Sequence, residues 1–115
     1  YGDGSTARDY THVTDVVNGF VLALKYLEVN KNVFEIINIG NKNPVKLKDL
    51  IDGIYEAAGK IPRINFLPAQ PGDVEITFAD ITKAKSLLNY EPKVEFKEGL
   101  KDFVNWFRLN REYLK

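Results

Sequence analysis

The sequence predicts a small α+β domain in which helices pack on short strands. Three observations point there. Four segments carry apolar residues at helical spacing, short apolar runs lie between them, and no strand–helix–strand rhythm is long enough for a doubly wound parallel sheet. The chain has 115 residues, the length of one domain. At 13.1 kDa, area scaling expects roughly 6,400 Å² of folded surface against roughly 19,000 Å² unfolded. About two-thirds of the surface would then be buried around one modest core.

The elements follow in order. Residues 1–7, with glycines at Gly2 and Gly4, are turn material. Residues 8–13 read as a short extended segment. Thr14 or Asp15 can cap a first helix, whose stripe is Val17, Phe20, Val21, Leu24 and Leu27. Asn30, Lys31 and Asn32 end it. Residues 34–39 (Phe-Glu-Ile-Ile-Asn-Ile) read as a strand stopped by Gly40. A second helix runs from about Leu47, with Leu47, Leu50, Ile51, Ile54 and Tyr55 on one face and Gly59 as its C-terminal cap. Residues 63–67 are a second strand, and the prolines and glycine of residues 68–73 force a loop. Asp80 or Thr82 caps a short helix with Ala84, Leu87 and Leu88 inward. After Pro92, a last helix covers roughly residues 98–113, with Leu100, Phe103, Val104 and Phe107 as its stripe.

Composition excludes several function classes. Sixteen basic and sixteen acidic residues cancel, which disfavours nucleic-acid and membrane-surface binding. Zero cysteine removes disulfides, cysteine metal sites and thiol catalysis. No apolar run approaches the ~18 residues of a transmembrane helix. No charged-then-apolar leader opens the chain, so a cytoplasmic location is expected. With no methionine and an opening inside a turn-like string, the chain is expected to be a fragment or processed product of something larger.

Three constellations could carry chemistry. In residues 2–10 (Gly-Asp-Gly-Ser-Thr-Ala-Arg-Asp-Tyr), a glycine-rich turn could offer N–H groups to an anion and Arg8 could fork onto a phosphate. The other reading is a solvated turn, with Arg8 paired to Asp9 or Asp15. The spacing matches neither a Walker loop nor the dinucleotide fingerprint. In Gln70-Pro71-Gly72-Asp73, a proline-stiffened loop could hold Asp73 to accept from the vicinal hydroxyls of a ribose or sugar, or Asp73 could satisfy its own turn. The lone His12 could be a general base, but its place before a helix favours a packed or capping histidine. The aromatics Phe103, Trp106, Phe107 and Tyr113 read as core plus rim on the last helix. Lys42, Lys46, Lys48, Lys83 and Lys85 read as solvated faces. No histidines or carboxylates have metal-ligand spacing.

Residues 2–17 as a string resemble a signature of the NAD-dependent nucleotide-sugar epimerases and dehydratases, the extended short-chain dehydrogenase/reductase family. Later blocks follow in that family's order: Asn38-Ile39-Gly40-Asn41, Gln70-Pro71-Gly72-Asp73-Val74, Ala79-Asp80-Ile81-Thr82-Lys83-Ala84, Tyr90-Glu91-Pro92-Lys93-Val94 and Gly99-Leu100. The likeness covers essentially the whole chain. Gln-Pro-Gly-Asp-Val and the stretch Phe103-Val104-Asn105-Trp106-Phe107-Arg108 look most like bacterial UDP-glucuronate 4-epimerases, which invert C4 of a UDP-sugar through a 4-keto intermediate.

The resemblance implies a C-terminal, UDP-sugar-binding lobe over residues 1–115. NAD would be held by a missing N-terminal Rossmann domain, and the parent would be a homodimer contributing to polysaccharide biosynthesis. It implies that Arg8 contacts the UDP diphosphate and Asp73 the uridine ribose. Gln70 stands where many UDP-galactose-type epimerases have a second phosphate-binding arginine, which agrees with the glucuronate subgroup. Neither a Gly-x-x-Gly-x-x-Gly fingerprint nor a Tyr-x-x-x-Lys pair occurs here, so no catalytic or cofactor-binding residue is expected in this chain, and none for a metal. The alternatives are a nucleotide-sugar dehydratase or decarboxylase lobe, or a free-standing non-catalytic binding module. Alone, the lobe is expected to self-associate or to be partly disordered around residues 1–12.

Overall fold

The computed structural model describes residues 1–114. Helix α1 spans Val13–Val29, capped by His12 rather than by Thr14 or Asp15. His12 has extended backbone angles, its Nδ1 accepts from the Thr14 N–H at 3.4 Å, and it lies 2.8 Å from Thr14 Oγ1. Asp15 lies inside the first turn, where its carboxylate has a different task. Helix α2 spans Leu47–Ala58 and ends, as expected, at Gly59 in the left-handed region at φ 66°. Helix α3 spans Thr82–Leu88. Asp80 Oδ1 accepts from the Thr82 N–H at 2.9 Å, although Ile81 occupies the cap position itself. Helix α4 starts two residues earlier than expected, spanning Phe96–Asn110, and passes into a 3-10 turn at Arg111–Leu114.

Strand structure is sparser than the sequence suggests. Strand β1 (Ala7–Arg8) pairs antiparallel with β2 (Val45–Lys46), Ala7 opposite Lys46 and Arg8 opposite Val45. A parallel bridge joins Ala7 to Ile76. Residues 34–39 and 63–67 form no strand. Among the described residues neither run has a ladder neighbour. β-propensity expresses itself only against a partner.

The buried core is small: Ile81, Ala84, Leu88 and Tyr90, flanked by Leu22, Ala23, Tyr26, Ile37 and Ile39. The stripe expected on α1 does not face it. Val17, Phe20, Val21, Leu24 and Leu27 are 41–66% exposed, and the inward face is Gly19, Leu22, Ala23 and Tyr26. The reason is steric. A Cβ at Gly19 would lie 2.9 Å from Ile39 Cδ1, so the small-residue face is the one that residue 39 can approach closely. Helix α1 is thus apolar on two sides, the pattern of a helix covered on two sides. Helix α4 buries Leu100 and Val104, while Phe103 and Phe107 are about half exposed, and Phe103 stacks on Trp106 at 6.1 Å. The aromatic cluster is therefore surface, not core plus rim.

These exposures add up. The accessible surface is 9032 Å², well above the roughly 6,400 Å² of a closed domain of this mass. The radius of gyration is 17.3 Å, against about 13 Å for a compact chain of this length. About half of the unfolded surface is buried, rather than two-thirds. No helix of the described residues is long and apolar enough to cross a membrane.

Candidate functional site

The site grows from β1 and the loop that follows residue 67. The opening turn places Gly2 and Gly4 at φ 69° and 83°, conformations open to glycine. Several of its polar groups are spent inside the protein. The Gly2 N–H donates to Leu67 O, and the Ser5 N–H to Asp3 Oδ1 at 2.9 Å. Hydrogen bonding from Ser5, by its side chain first and then by its N–H, holds the Asp3 carboxyl below the usual carboxylate range. Thr6 O and Gly4 O accept from the Leu47 and Lys48 N–H groups, capping the start of α2. The glycine turn thus serves as a helix cap.

Arg8 pairs with neither Asp9 nor Asp15. Its Nη1 donates to Ala7 O at 2.8 Å and its Nη2 donates to Asp73 Oδ1. Asp73 comes from the turn Gln70-Pro71-Gly72-Asp73, where the Asp73 N–H donates to Gln70 O at 3.2 Å and Gly72 has φ 87°. Proline followed by a positive-φ glycine is the pattern of a type II turn. So two residues 65 apart in sequence meet as an ion pair whose side chains are 30% and 43% exposed. The pair is open to solvent and therefore to a ligand. Gln70, exposed, is carried by the same turn.

The two other acids named beside Arg8 bind backbone instead. Asp9 Oδ1 accepts from the Asn41 N–H and Oδ2 from the Ala79 N–H, both at 2.9 Å. Asp15, 4% exposed, accepts from the Lys93 and Val94 N–H groups at 3.0 and 3.1 Å. Tyr90, 1% exposed, donates its hydroxyl to Gly40 O at 3.0 Å. Burial, then the Asp15 and Asp9 charges, push its phenol above the usual value. These roles were unassigned from sequence, although Asp9, Gly40 and Tyr90 all stand in the motif blocks. On the surface Glu91 lies between Lys42 and Lys85 at 2.7 and 2.9 Å. Hydrogen bonds from these lysines hold its carboxyl below the usual range, and Glu91 in turn raises Lys42. Lys83 pairs with Glu35 at 2.6 Å.

His12 stays apart from the Arg8–Asp73 pair. It caps α1, and it borders an apolar groove of about 750 Å³ between α2 and α4 that contains none of Arg8, Gln70 and Asp73. Among the described residues no cluster of histidines and acids could hold a metal. Among the described residues neither β1 nor β2 feeds a helix through a glycine fingerprint.

Comparison with known proteins places the whole chain among relatives. A family model described as GDP-mannose 4,6 dehydratase matches residues 1–103. A UDP-glucuronate 4-epimerase of Thermodesulfobacterium geofontis is 41% identical over 116 residues, covering 100% of this chain and 34% of that protein. Among solved structures, UDP-glucuronic acid 4-epimerase from Bacillus cereus, in complex with UDP-glucuronic acid and NAD, superposes with a TM-score of 0.84 at 36% identity. That match covers 95% of this chain and 34% of the other. UDP-glucose 4-epimerase from Thermotoga maritima, with UDP-glucose, gives 0.84 at 38% identity, covering 96% and 34%. The chain spans about a third of the length of these relatives. It belongs to the GDP-mannose 4,6 dehydratase family of NAD-dependent extended short-chain dehydrogenases/reductases, as a C-terminal part of such a protein.

Proposed function

We propose that this chain is the substrate-binding lobe of a UDP-sugar 4-epimerase acting on UDP-glucuronate. The observation that carries the proposal is the meeting of Arg8 and Asp73 across 65 residues at an open surface. A guanidinium forks onto phosphate oxygens, and a carboxylate accepts from two vicinal hydroxyls. A nucleoside diphosphate would replace the ion pair by bonding both partners. Gln70, on the same turn, adds a neutral donor and acceptor where a second cation would raise phosphate affinity. NAD, when bound by the rest of the protein, supplies the hydride acceptor for a transient 4-keto sugar. This chain's part is to orient the nucleotide, so that binding energy positions the sugar.

The second apolar side of α1 and the ladder-free residues 34–39 support a missing Rossmann domain packed there, with the sugar nucleotide in the cleft. The same surface counts against a free-standing binding module. The isolated chain would be inactive. The parent would be a cytoplasmic homodimer supplying sugar nucleotides for polysaccharide. The family description favours a second reading, a nucleotide-sugar dehydratase, and a decarboxylase is the remaining variant of that chemistry. Incubating the full-length protein with UDP-glucuronate and following the sugar by NMR decides among them. Inversion at C4 with all carbons and oxygens retained supports the epimerase. Loss of water or of carbon dioxide overturns it in favour of the dehydratase or the decarboxylase.

A further inference from the structure

We infer that Asp9 is a positioning residue for this nucleotide grip: it fixes the distance between the strand carrying Arg8 and the loop carrying Asp73. The inference rests on the proposed roles of Arg8 and Asp73, and adds a residue that touches neither ligand nor reacting atoms.

Asp9 follows Arg8 directly in the chain, and its carboxylate is used on both oxygens. Oδ2 accepts from the Ala79 N–H, six residues after Asp73, and Oδ1 accepts from the Asn41 N–H. Thr11 Oγ1, 3.5 Å from Oδ1, accepts from the same Asn41 N–H at 2.9 Å. Three segments therefore converge on one side chain. Without it, the Arg8–Asp73 pair aside, the described residues join the Asp73 loop to β1 around Ala7, by Ala7 N–H to Glu75 O at 2.8 Å and Thr77 N–H to Ala7 O at 3.2 Å. A two-residue strand gives such a bridge little cooperative support. Gly40 makes the approach possible, since a Cβ there would stand 2.7 Å from Asp9 Oδ2. Bonds from N–H groups to a carboxylate are stronger than neutral ones, so the link through Ala79 is the stiffer of the two. An ion pair between an arginine and an aspartate that are both partly exposed does not set its own geometry. The backbone beneath it does.

Asp15 is a matched control. It also accepts two backbone N–H groups, but it joins α1 to residues 93 and 94, which carry neither Arg8 nor Asp73. The experiment compares Asp9→Asn, Asp15→Asn and the unsubstituted full-length protein. Backbone amide exchange is read without ligand, and affinity is read by calorimetric titration with UDP. Asp9→Asn should expose the Ala7 and Thr77 amides to exchange while the α3 amides keep their protection. It should weaken UDP binding about tenfold. Asp15→Asn should leave UDP affinity within about twofold. In a double-mutant cycle with Arg8→Ala, Asp9→Asn should lose most of its effect on affinity, which a purely structural role would not produce. If Asp9→Asn does not fold, Ala79→Pro removes the same N–H with Asp9 intact and should weaken UDP binding likewise. Unchanged protection at Ala7 and Thr77, or equal affinity losses in the Asp9 and Asp15 variants, would overturn the inference. Absence of UDP binding by the unsubstituted protein would instead overturn the roles of Arg8 and Asp73, and the exchange arm would still decide what Asp9 holds.

Discussion

Replacing Gly40 by alanine should destabilise the protein more than any other glycine-to-alanine change in it. The added Cβ would lie 2.6 Å from Ala79 Cβ and 2.7 Å from Asp9 Oδ2, closer than atoms approach in folded proteins. Neither neighbour can yield cheaply. Ala79 has no flexible side chain and its N–H is bonded to Asp9, while the Gly40 carbonyl is held by the buried Tyr90 hydroxyl. Overpacking of this kind costs about 1–3 kcal/mol. Losing one N–H bond to the Asp9 carboxylate adds about 1.5–3 kcal/mol. Together these come to about 2.5–6 kcal/mol. Gly53→Ala is the control. Its Cβ would also come within 2.6 Å of a neighbour, but that neighbour is Leu100 Cδ1, the movable end of a long side chain. In a helix interior alanine recovers about 0.5–1 kcal/mol over glycine. Thermal unfolding of the full-length protein reads the difference. At about 2–4 °C per kcal/mol, Gly40→Ala should melt about 5–24 °C below wild type and Gly53→Ala within about 3 °C of it. If Gly40→Ala melts with wild type, or both variants fall equally, Asp9 and Gly40 are not the tight contact described.

Three further outcomes are expected. The Tyr90 phenol is raised above its usual 10.0, so its contribution is complete below about pH 10 and is lost as pH rises through the folded value. Urea titrations should therefore show a smaller alkaline loss in Tyr90→Phe than in wild type, with about 1 kcal/mol less stability at neutral pH from the unpaired Gly40 carbonyl. The Glu91 carboxyl is held below its usual 4.5 by Lys42 and Lys85, so its contribution is present above that pH and fades as pH falls through the folded value. The stability difference between wild type and Glu91→Gln should shrink in acid, and a difference that grows there would contradict the Lys42–Glu91–Lys85 arrangement. The 115-residue chain on its own should self-associate in sedimentation velocity through the exposed side of α1, and Phe20→Glu with Leu24→Lys should return it toward monomer. A wild-type monomer with a closed hydrodynamic radius would refute that use of the surface.

The helices were legible because their signals are local. The Leu47–Tyr55 face and Gly59 define α2 from within a dozen residues, and Ala84 and Leu88 mark α3. The strands were misjudged because pairing is not local. Residues 34–39 have the alternation and branching of a strand, but a ladder needs a neighbour that the described residues do not contain. The same gap explains α1. Its larger apolar stripe looked like the core face, yet the smaller Gly19–Ala23 face is the one that meets Ile39. At the site, the loop chemistry of Pro71 and Gly72 was readable, and the motif blocks singled out Arg8 and Asp73. Their pairing was not readable, nor was the use of Asp9 and Asp15 as backbone acceptors. An aspartate that bonds N–H groups 30 to 80 residues away leaves no periodic trace in sequence.

The proposed division of labour between Arg8 and Asp73 is tested most directly by titrating the full-length protein with UDP and, separately, with uridine. Arg8→Ala removes a donor to the diphosphate and should weaken UDP binding about 10- to 100-fold, the size of losing hydrogen bonds to a charged group, while leaving uridine affinity unchanged. Because the Arg8 and Asp73 side chains are 30% and 43% exposed, that change should move stability by less than about 1 kcal/mol. Asp73→Ala should weaken both ligands. Equal losses for UDP and uridine in Arg8→Ala, or no loss for either ligand in Asp73→Ala, would contradict the assignment of diphosphate to Arg8 and ribose to Asp73.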